Sequence, residues 1–149
     1  MKVKAFLDTN ILMDALQEGR PNREFSQIIF QLVWQQEIEA VITTQSILDV
    51  SYMMKNAHVQ DRFFAVLEKW CDYINIDQLN AFDICLAARN YTGDFEDDAQ
   101  YYRALDTCCD VIVTSDEEFR NKYNGKNDHL KLMSPREFVD RMSGNAIPS

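Results

Sequence analysis

The chain has 149 residues, 46% of them hydrophobic and 26% charged, which is typical of one globular domain and excludes a disordered linker or a low-complexity tail. The formal net charge of −9 excludes a generally basic surface for DNA or RNA, so a nucleic-acid partner has to be bound through something else, such as a metal ion. No apolar run reaches about 18 residues and Asp8 interrupts the N-terminal segment before a signal-peptide core could form, so we expect a cytoplasmic protein without a membrane segment.

Short apolar segments alternate with segments of helical periodicity along the chain. The apolar segments predict five strands, over residues 3–7, 40–43, 73–76, 111–114 and 130–133. The amphipathic segments predict helices from about residue 10, over 23–36, from 44, over 59–71, over 81–88, from 94, from 116 and from 135. This alternation predicts one α/β domain, residues 1–142, whose short and mainly parallel central sheet is flanked by helices on both faces. Residues 143–149 are expected to form a frayed tail.

Aspartates follow two of the predicted strands. Asp8 comes directly after the first strand, and Asp116 comes two residues after the fourth. Functional residues of parallel sheets gather beyond the carboxyl ends of the strands, so we expect both to lie at one edge, where helices add Asp49 and Asp97. Carboxylates that lie close together repel one another, and a divalent cation removes that repulsion. A set of oxygen ligands without His or Cys favours Mg²⁺ or Mn²⁺ over zinc.

Each of these acids also has a purely structural interpretation. Asp94 suits the N-cap of a helix, and Asp98 could be a first-turn acid of the same helix. Asp116 could belong to a capping box opened by Ser115. Asp49, taken alone, would be a solvated helix position. The acids therefore indicate a metal site only when they are considered together.

The four cysteines predict neither a zinc site nor a disulfide framework. They are Cys71, Cys85, Cys108 and Cys109. None forms a C-x-x-C pair, and His58 and His129 lie far from them in sequence. We therefore expect buried free thiols.

Four aromatic residues could either stack on nucleobases or pack within the protein. They are Phe30, Trp34, Tyr101 and Tyr102. Their helical spacing favours packing, in the core or in a dimer interface.

Four segments, in order along the chain, carry a resemblance to a known family. They are Phe6–Leu12, Ile42–Asp49, Asp94–Asp97 and Val111–Asp116. Together they resemble the PIN domain (PilT N-terminus) family, the ribonuclease fold of VapC-type toxins. Ser134–Phe138 resembles the Pro-containing closing helix that is common in these proteins, so the resemblance covers about residues 2–141.

The resemblance implies a set of site residues. The acidic metal-binding positions of the family correspond to Asp8, Asp49, Asp97 and Asp116, and supporting roles near the site fall to Thr9, Asn10, Thr114 and Ser115. Asp97 is preferred to its neighbour Asp98 because it lies three residues after Asp94, as the D-x-x-D pattern requires. Asp49 departs from the Glu of many members, and its side chain reaches less far. Asp116 stands where relatives carry Asp or Asn.

The resemblance also implies an activity. It implies a Mg²⁺- or Mn²⁺-dependent endoribonuclease that cleaves single-stranded or structured RNA by a metal-activated water and leaves 5′-phosphate and 3′-hydroxyl ends. It further implies a homodimer and the toxin of a toxin–antitoxin pair, silenced by a small antitoxin whose C-terminal segment fills the acidic groove. Lys55, Arg89 and Lys122 are candidates for guiding RNA at the rim of the site.

Other functions fit the sequence less well. A haloacid-dehalogenase-type phosphatase needs a second Asp where this chain has Asn10, and a receiver-type signalling domain needs a Lys after the fourth strand. The alternative from another class is a non-catalytic PIN-like module that binds RNA or protein. The charge of −9 and the Asp at position 49 favour that alternative.

Overall fold

The computed structural model describes residues 1–56 and 60–144, which form five strands and eight helices. The strands are β1 (Val3–Leu7), β2 (Ile38–Thr43), β3 (Ile74–Asp77), β4 (Val111–Val113) and β5 (Lys131–Met133). The helices are α1 (Thr9–Leu16), α2 (Arg23–Trp34), α3 (Thr44–Asn56), α4 (Gln60–Trp70), α5 (Ala81–Arg89), α6 (Phe95–Asp106), α7 (Glu117–Tyr123) and α8 (Pro135–Met142). The predicted strands are confirmed to within two residues at each end; His58, residue 59 and most of the predicted tail (145–149) lie outside the described residues. No described helix is long and apolar enough to span a membrane.

The sheet has the order β3-β2-β1-β4-β5, and every pairing between these strands is parallel. The predicted α/β class with a parallel sheet is therefore confirmed. The chain moves outward from β1 to β3 and then returns to the other side of β1 for β4, so the strand order reverses between β1 and β4. Such a reversal opens a crevice beyond the carboxyl ends of the two strands, which is the usual ligand site of open α/β sheets.

Helices cover both faces of the sheet, as the apolar runs of the strands predict. On one face, Ala5 and Leu7 of β1 join a core built with α1, α2, α3, α4 and α8. On the other face, Phe6 of β1 and Ile112 of β4 join a smaller core with α6 and α7. Alternate residues of β1 thus point to opposite layers, and full burial of one such side chain contributes roughly 1.5–3 kcal/mol.

The buried face of α5 differs from the prediction. Its apolar residues predict that Ile84 and Cys85 face the core, but both are exposed, and Asp83 and Ala87 are buried instead. The reason is a polar contact, because the Asp83 carboxylate accepts a hydrogen bond from the N–H of Asn80 (3.0 Å) and pairs with a buried arginine. The polar contacts of one carboxylate, rather than the apolar stripe, set the rotation of this helix.

All four cysteines are free, as expected, but their predicted burial is wrong for three of them. Cys109 is buried, whereas Cys71, Cys85 and Cys108 are exposed.

A buried arginine fixes α6 to its neighbours. Arg103, on α6, places its guanidinium 3.5 Å from Asp83 of α5 and 3.4 Å from Asp77 at the end of β3, and it also pairs with Asp106. Asp83 is fully buried, so its charge depends on this partner. The contact orients α6, which carries the acidic segment that begins at Asp94.

We predict that Arg103→Met lowers the free energy of unfolding by about 3–5 kcal/mol, because it leaves the Asp83 carboxylate buried without its cation. The double variant Arg103→Met/Asp83→Asn should recover part of that loss, because it removes the stranded charge. Urea unfolding followed by circular dichroism measures both values. A single variant as stable as the wild type would contradict this account.

Candidate active site

Three aspartates cap helices that begin at the carboxyl edge of the sheet or beside it. Asp8, Asp94 and Asp116 are the N-caps of α1, α6 and α7, and each accepts a hydrogen bond from a backbone N–H of its helix, at 2.7, 3.0 and 3.2 Å respectively. The predicted capping role of Asp94 is confirmed. Asp116 caps α7 itself, so the capping box opened by Ser115 is not formed. The positive ends of three helix dipoles therefore favour negative charge at these side chains.

The three caps border one cavity of about 440 Å³. Its lining residues are Asp8, Thr9, Asn10, Asp49, Tyr52, Met53, Asp94, Glu96, Asp97 and Asp116. All four predicted metal-binding aspartates are thus brought to one cavity, together with two of the four predicted supporting residues. Six of the ten lining residues carry a carboxylate, and none carries a positive charge.

The adjacent residues Asp97 and Asp98 point to different places. Asp97 lines the cavity, whereas Asp98 is fully buried. Asp98 accepts hydrogen bonds from the Thr92 N–H (2.9 Å), from the Thr92 hydroxyl and from the Tyr123 hydroxyl, so it ties the turn before α6 to α7. The geometry therefore assigns Asp97 to the cavity and Asp98 to the interior.

Thr114 connects the two aspartates that follow β1 and β4. Its hydroxyl donates to Asp8 Oδ2 (2.7 Å) and accepts from the Asp116 N–H (3.1 Å). It is buried and does not line the cavity, so its effect on the cavity passes through these two contacts. Ser115, the remaining supporting candidate, is half-buried and lies outside the lining.

Burial and neighbouring negative charges disfavour the ionised forms of Asp97 and Asp8. Burial, followed by the negative charges of Asp8, Asp94 and Asp116, raises the pKa of Asp97 to about 8. Burial also raises the pKa of Asp8 above its usual range, although the hydrogen bond from Thr114 opposes the shift. A cation in the cavity would relieve both effects.

Sequence reasoning missed Glu96, which lines this cavity, and Gln100, which hydrogen-bonds Glu96. Burial together with the nearby negative charges, Asp49 first among them, raises the pKa of the Glu96 carboxyl. Gln100 is buried one turn later, donates from Nε2 to Glu96 Oε1 (3.4 Å), and its polar side chain lowers the pKa of the Asp8 carboxyl. The available signal was helical spacing, since residues 96 and 100 are neighbours at i and i+4.

The family model of the PIN domain matches residues 4–118. The chain belongs to the PIN domain family. The predicted resemblance is confirmed, and the matched range contains every residue that lines the cavity of this PIN domain. Comparison with curated proteins gives no match.

Two solved structures share the fold of this PIN domain. PAE2754 from Pyrobaculum aerophilum is 16% identical, with a TM-score of 0.63 and coverage of 97% of this chain and 98% of that chain. VapBC2 from Rickettsia felis, bound to a DNA fragment from their promoter, is 14% identical, with a TM-score of 0.60 and coverage of 89% and 98% respectively. At these identities the similarity concerns the fold alone.

The donor set of the cavity suits a hard divalent cation. Among residues 1–56 and 60–144, no three His, Cys, Asp or Glu side chains form a group arranged to hold a metal ion. The six carboxylates nevertheless share one cavity, and oxygen donors of this kind are the ligands that Mg²⁺ and Mn²⁺ prefer. Without a counterion the six carboxylates repel one another and lie apart. Their side chains therefore have to move closer together to bind an ion.

The cationic and aromatic candidates lie outside the cavity lining. Lys55, Arg89 and Lys122 do not line it, although the positive charge of Lys122 lowers the pKa of Asp97. Phe30 and Tyr101 are buried in the two cores, so the preference for packing over base stacking is confirmed for them. Trp34 and Tyr102 pack against those cores and remain partly exposed.

We predict that Asp97→Asn stabilises the metal-free protein in a pH-dependent way. The pKa of Asp97 rises from its ordinary value of 3.8 to about 8 on folding, so its ionisation destabilises the folded state increasingly between these pH values. In EDTA, the variant should therefore gain little near pH 4 and should melt roughly 2–4 °C higher than the wild type near pH 8.

Asp98→Asn is the matched control for this measurement. It weakens the hydrogen bonds from Thr92 and Tyr123 and should lower the melting temperature at both pH values. Melting curves followed by circular dichroism give both comparisons. Equal melting temperatures of Asp97→Asn and the wild type near pH 8 would show that Asp97 is not under repulsion.

Proposed function

We propose that this PIN domain is a metal-dependent endoribonuclease and the toxin of a toxin–antitoxin pair. The observation that carries the proposal is the collection of six carboxylates in one cavity, at the point where the strand order reverses. Members of the PIN domain family are generally nucleases, which supports the same reaction class. An enzyme of this kind would act on RNA in the cytoplasm.

We assign the cation, Mg²⁺ or Mn²⁺, to Asp8, Asp97, Asp116 and Asp49, the four positions that the family resemblance indicates. When bound, the ion supplies charge neutralisation and activation of water for hydrolysis of a phosphodiester. Two carboxylates of the lining remain, Asp94 and Glu96. Asp94 caps α6, and Glu96 is suited to accept a proton, because partial burial and its acidic neighbours raise its pKa.

The hydrogen bonds around Asp8 hold it ready for this role. Its Oδ1 accepts from the Thr9 N–H (2.7 Å) and its Oδ2 accepts from the Thr114 hydroxyl (2.7 Å). These two hydrogen bonds therefore fix the orientation of the Asp8 carboxylate without a ligand. Each of its oxygens keeps a lone pair for a further contact. Thr114 acts through Asp8 and is a positioning residue.

Charge complementarity supports a basic partner for the same cavity. With six carboxylates and no cation among its lining residues, the cavity suits a segment that carries Lys or Arg, such as the C-terminal segment of a small antitoxin. The solved VapBC2 structure, which is bound to a DNA fragment from their promoter, shares the fold of this chain and supports such a pairing by analogy. A homodimer is proposed on the family resemblance, and the exposed Phe82 and Ile84 on α5 supply apolar surface for it.

We predict metal-dependent cleavage of RNA by the wild type. A mixed pool of end-labelled RNA, incubated with Mg²⁺ or Mn²⁺, should yield fragments with 5′-phosphate and 3′-hydroxyl ends, and EDTA should stop the reaction. Asp8→Asn should lower the rate by more than about 100-fold, because it removes a proposed ligand whose two oxygens are already oriented.

Asp61→Asn is the matched control, because Asp61 is an exposed aspartate on α4 outside the cavity lining. It should cleave at the wild-type rate. An unchanged rate in Asp8→Asn would overturn the assignment of the site, and a wild type that cleaves no RNA in any metal would instead support a non-catalytic interaction module.

We also predict that Mn²⁺ raises the melting temperature of the wild type. An ion that binds only the folded state at 100 times its Kd stabilises it by about 2.7 kcal/mol, or roughly 5–11 °C for a chain of this size. Asp8→Asn should show a clearly smaller shift, because it removes one of the charges that the ion neutralises. Equal shifts in both proteins would place the bound ion elsewhere.

A further inference from the structure

One wall of the cavity is apolar and exposed. On α3, Asp49, Tyr52 and Met53 stand at i, i+3 and i+4, so they share one helix face, and all three line the cavity. The Tyr52 side chain is 68% exposed and that of Met53 is 37% exposed. Water is a poor environment for these two side chains, and they border the carboxylates directly.

Tyr52 and Met53 do not belong to the hydrophobic core. The buried residues of α3 are Ser46, Val50 and Met54, which lie on another side of the helix. Within the described residues, Tyr52 belongs to none of the close aromatic pairs, which form elsewhere in the protein. Packing between the helices therefore does not explain the position of Tyr52.

The charge of the cavity determines which part of a nucleic acid this wall can recognise. No Lys or Arg lines the cavity, so the phosphates there find no protein cation to bind. A nucleobase is uncharged and has an apolar face, and stacking on an aromatic side chain contributes about 1–3 kcal/mol per base without attraction between charges. A base within a duplex is already stacked on both sides and cannot use this surface.

We propose that Tyr52 and Met53 form a stacking surface for an unpaired nucleobase of the RNA next to the cleavage site. This inference rests on the proposed ribonuclease function and adds two residues that bind a base of the substrate. Tyr52 supplies the aromatic face, and Met53 supplies a polarisable side chain that adapts to different bases.

The test measures binding of a short single-stranded RNA of mixed sequence by fluorescence anisotropy in Mn²⁺. The RNA carries a fluorescein label and phosphorothioate linkages, which slow its cleavage. Tyr52→Ala should raise the Kd roughly 5- to 150-fold, and Tyr52→Phe should stay close to the wild type because it keeps the ring. The slope of log Kd against log salt should be the same for Tyr52→Ala and the wild type, because stacking releases no counterions. The same strand annealed to its complement should bind more weakly and should not respond to Tyr52→Ala.

Phe64→Ala is the matched control, since Phe64 is an exposed aromatic on α4 outside the cavity lining, and it should bind like the wild type. Cleavage of unmodified RNA by each variant separates this inference from the proposed function. Wild-type cleavage with an unchanged Kd in Tyr52→Ala would overturn the stacking surface alone. Binding that depends on Tyr52 without any cleavage would support the surface and overturn the nuclease. A wild type that binds no single strand would overturn the stacking surface.

Discussion

Repulsion among carboxylates is the constraint around which this PIN domain is organised. Six acidic side chains line one cavity, and helix N-termini and hydrogen bonds offset part of their charge. Thr114 and Gln100 serve this purpose at Asp8. Ionisation of Asp8 and Asp97 nevertheless opposes folding, because burial raises the pKa of both carboxyls.

Much of the architecture was predictable from sequence because it depends on periodic apolar patterns. The strands that are buried on both faces are short apolar runs in the sequence. Asp8 follows β1 and Asp116 follows β4, so a parallel topology alone predicts that both lie at one edge of the sheet. Spacing from Asp94 predicts Asp97 rather than Asp98 as the ligand, and the structure places Asp97 in the cavity lining and Asp98 in the interior.

The remainder depends on contacts between side chains that are distant in sequence. The buried face of α5 follows from the pairing of Asp83 with Arg103, 20 residues later, which no helical pattern within α5 reveals. Glu96 and Tyr52 could not be predicted from sequence for a different reason. An acid in the first turn of a helix and an aromatic residue on a helix both have many structural uses. Only the position of the cavity distinguishes Tyr52 from the aromatics of the cores.

The two cores on either side of the sheet have a mechanical consequence for the cavity. Its walls belong to different layers, since α1 and α3 rest on one core while α6 and α7 rest on the other. Leu7 and Phe6, adjacent in β1, anchor these layers separately. The separation between opposing walls therefore depends on how both layers pack on the sheet, and close-packed interiors transmit changes of side-chain volume.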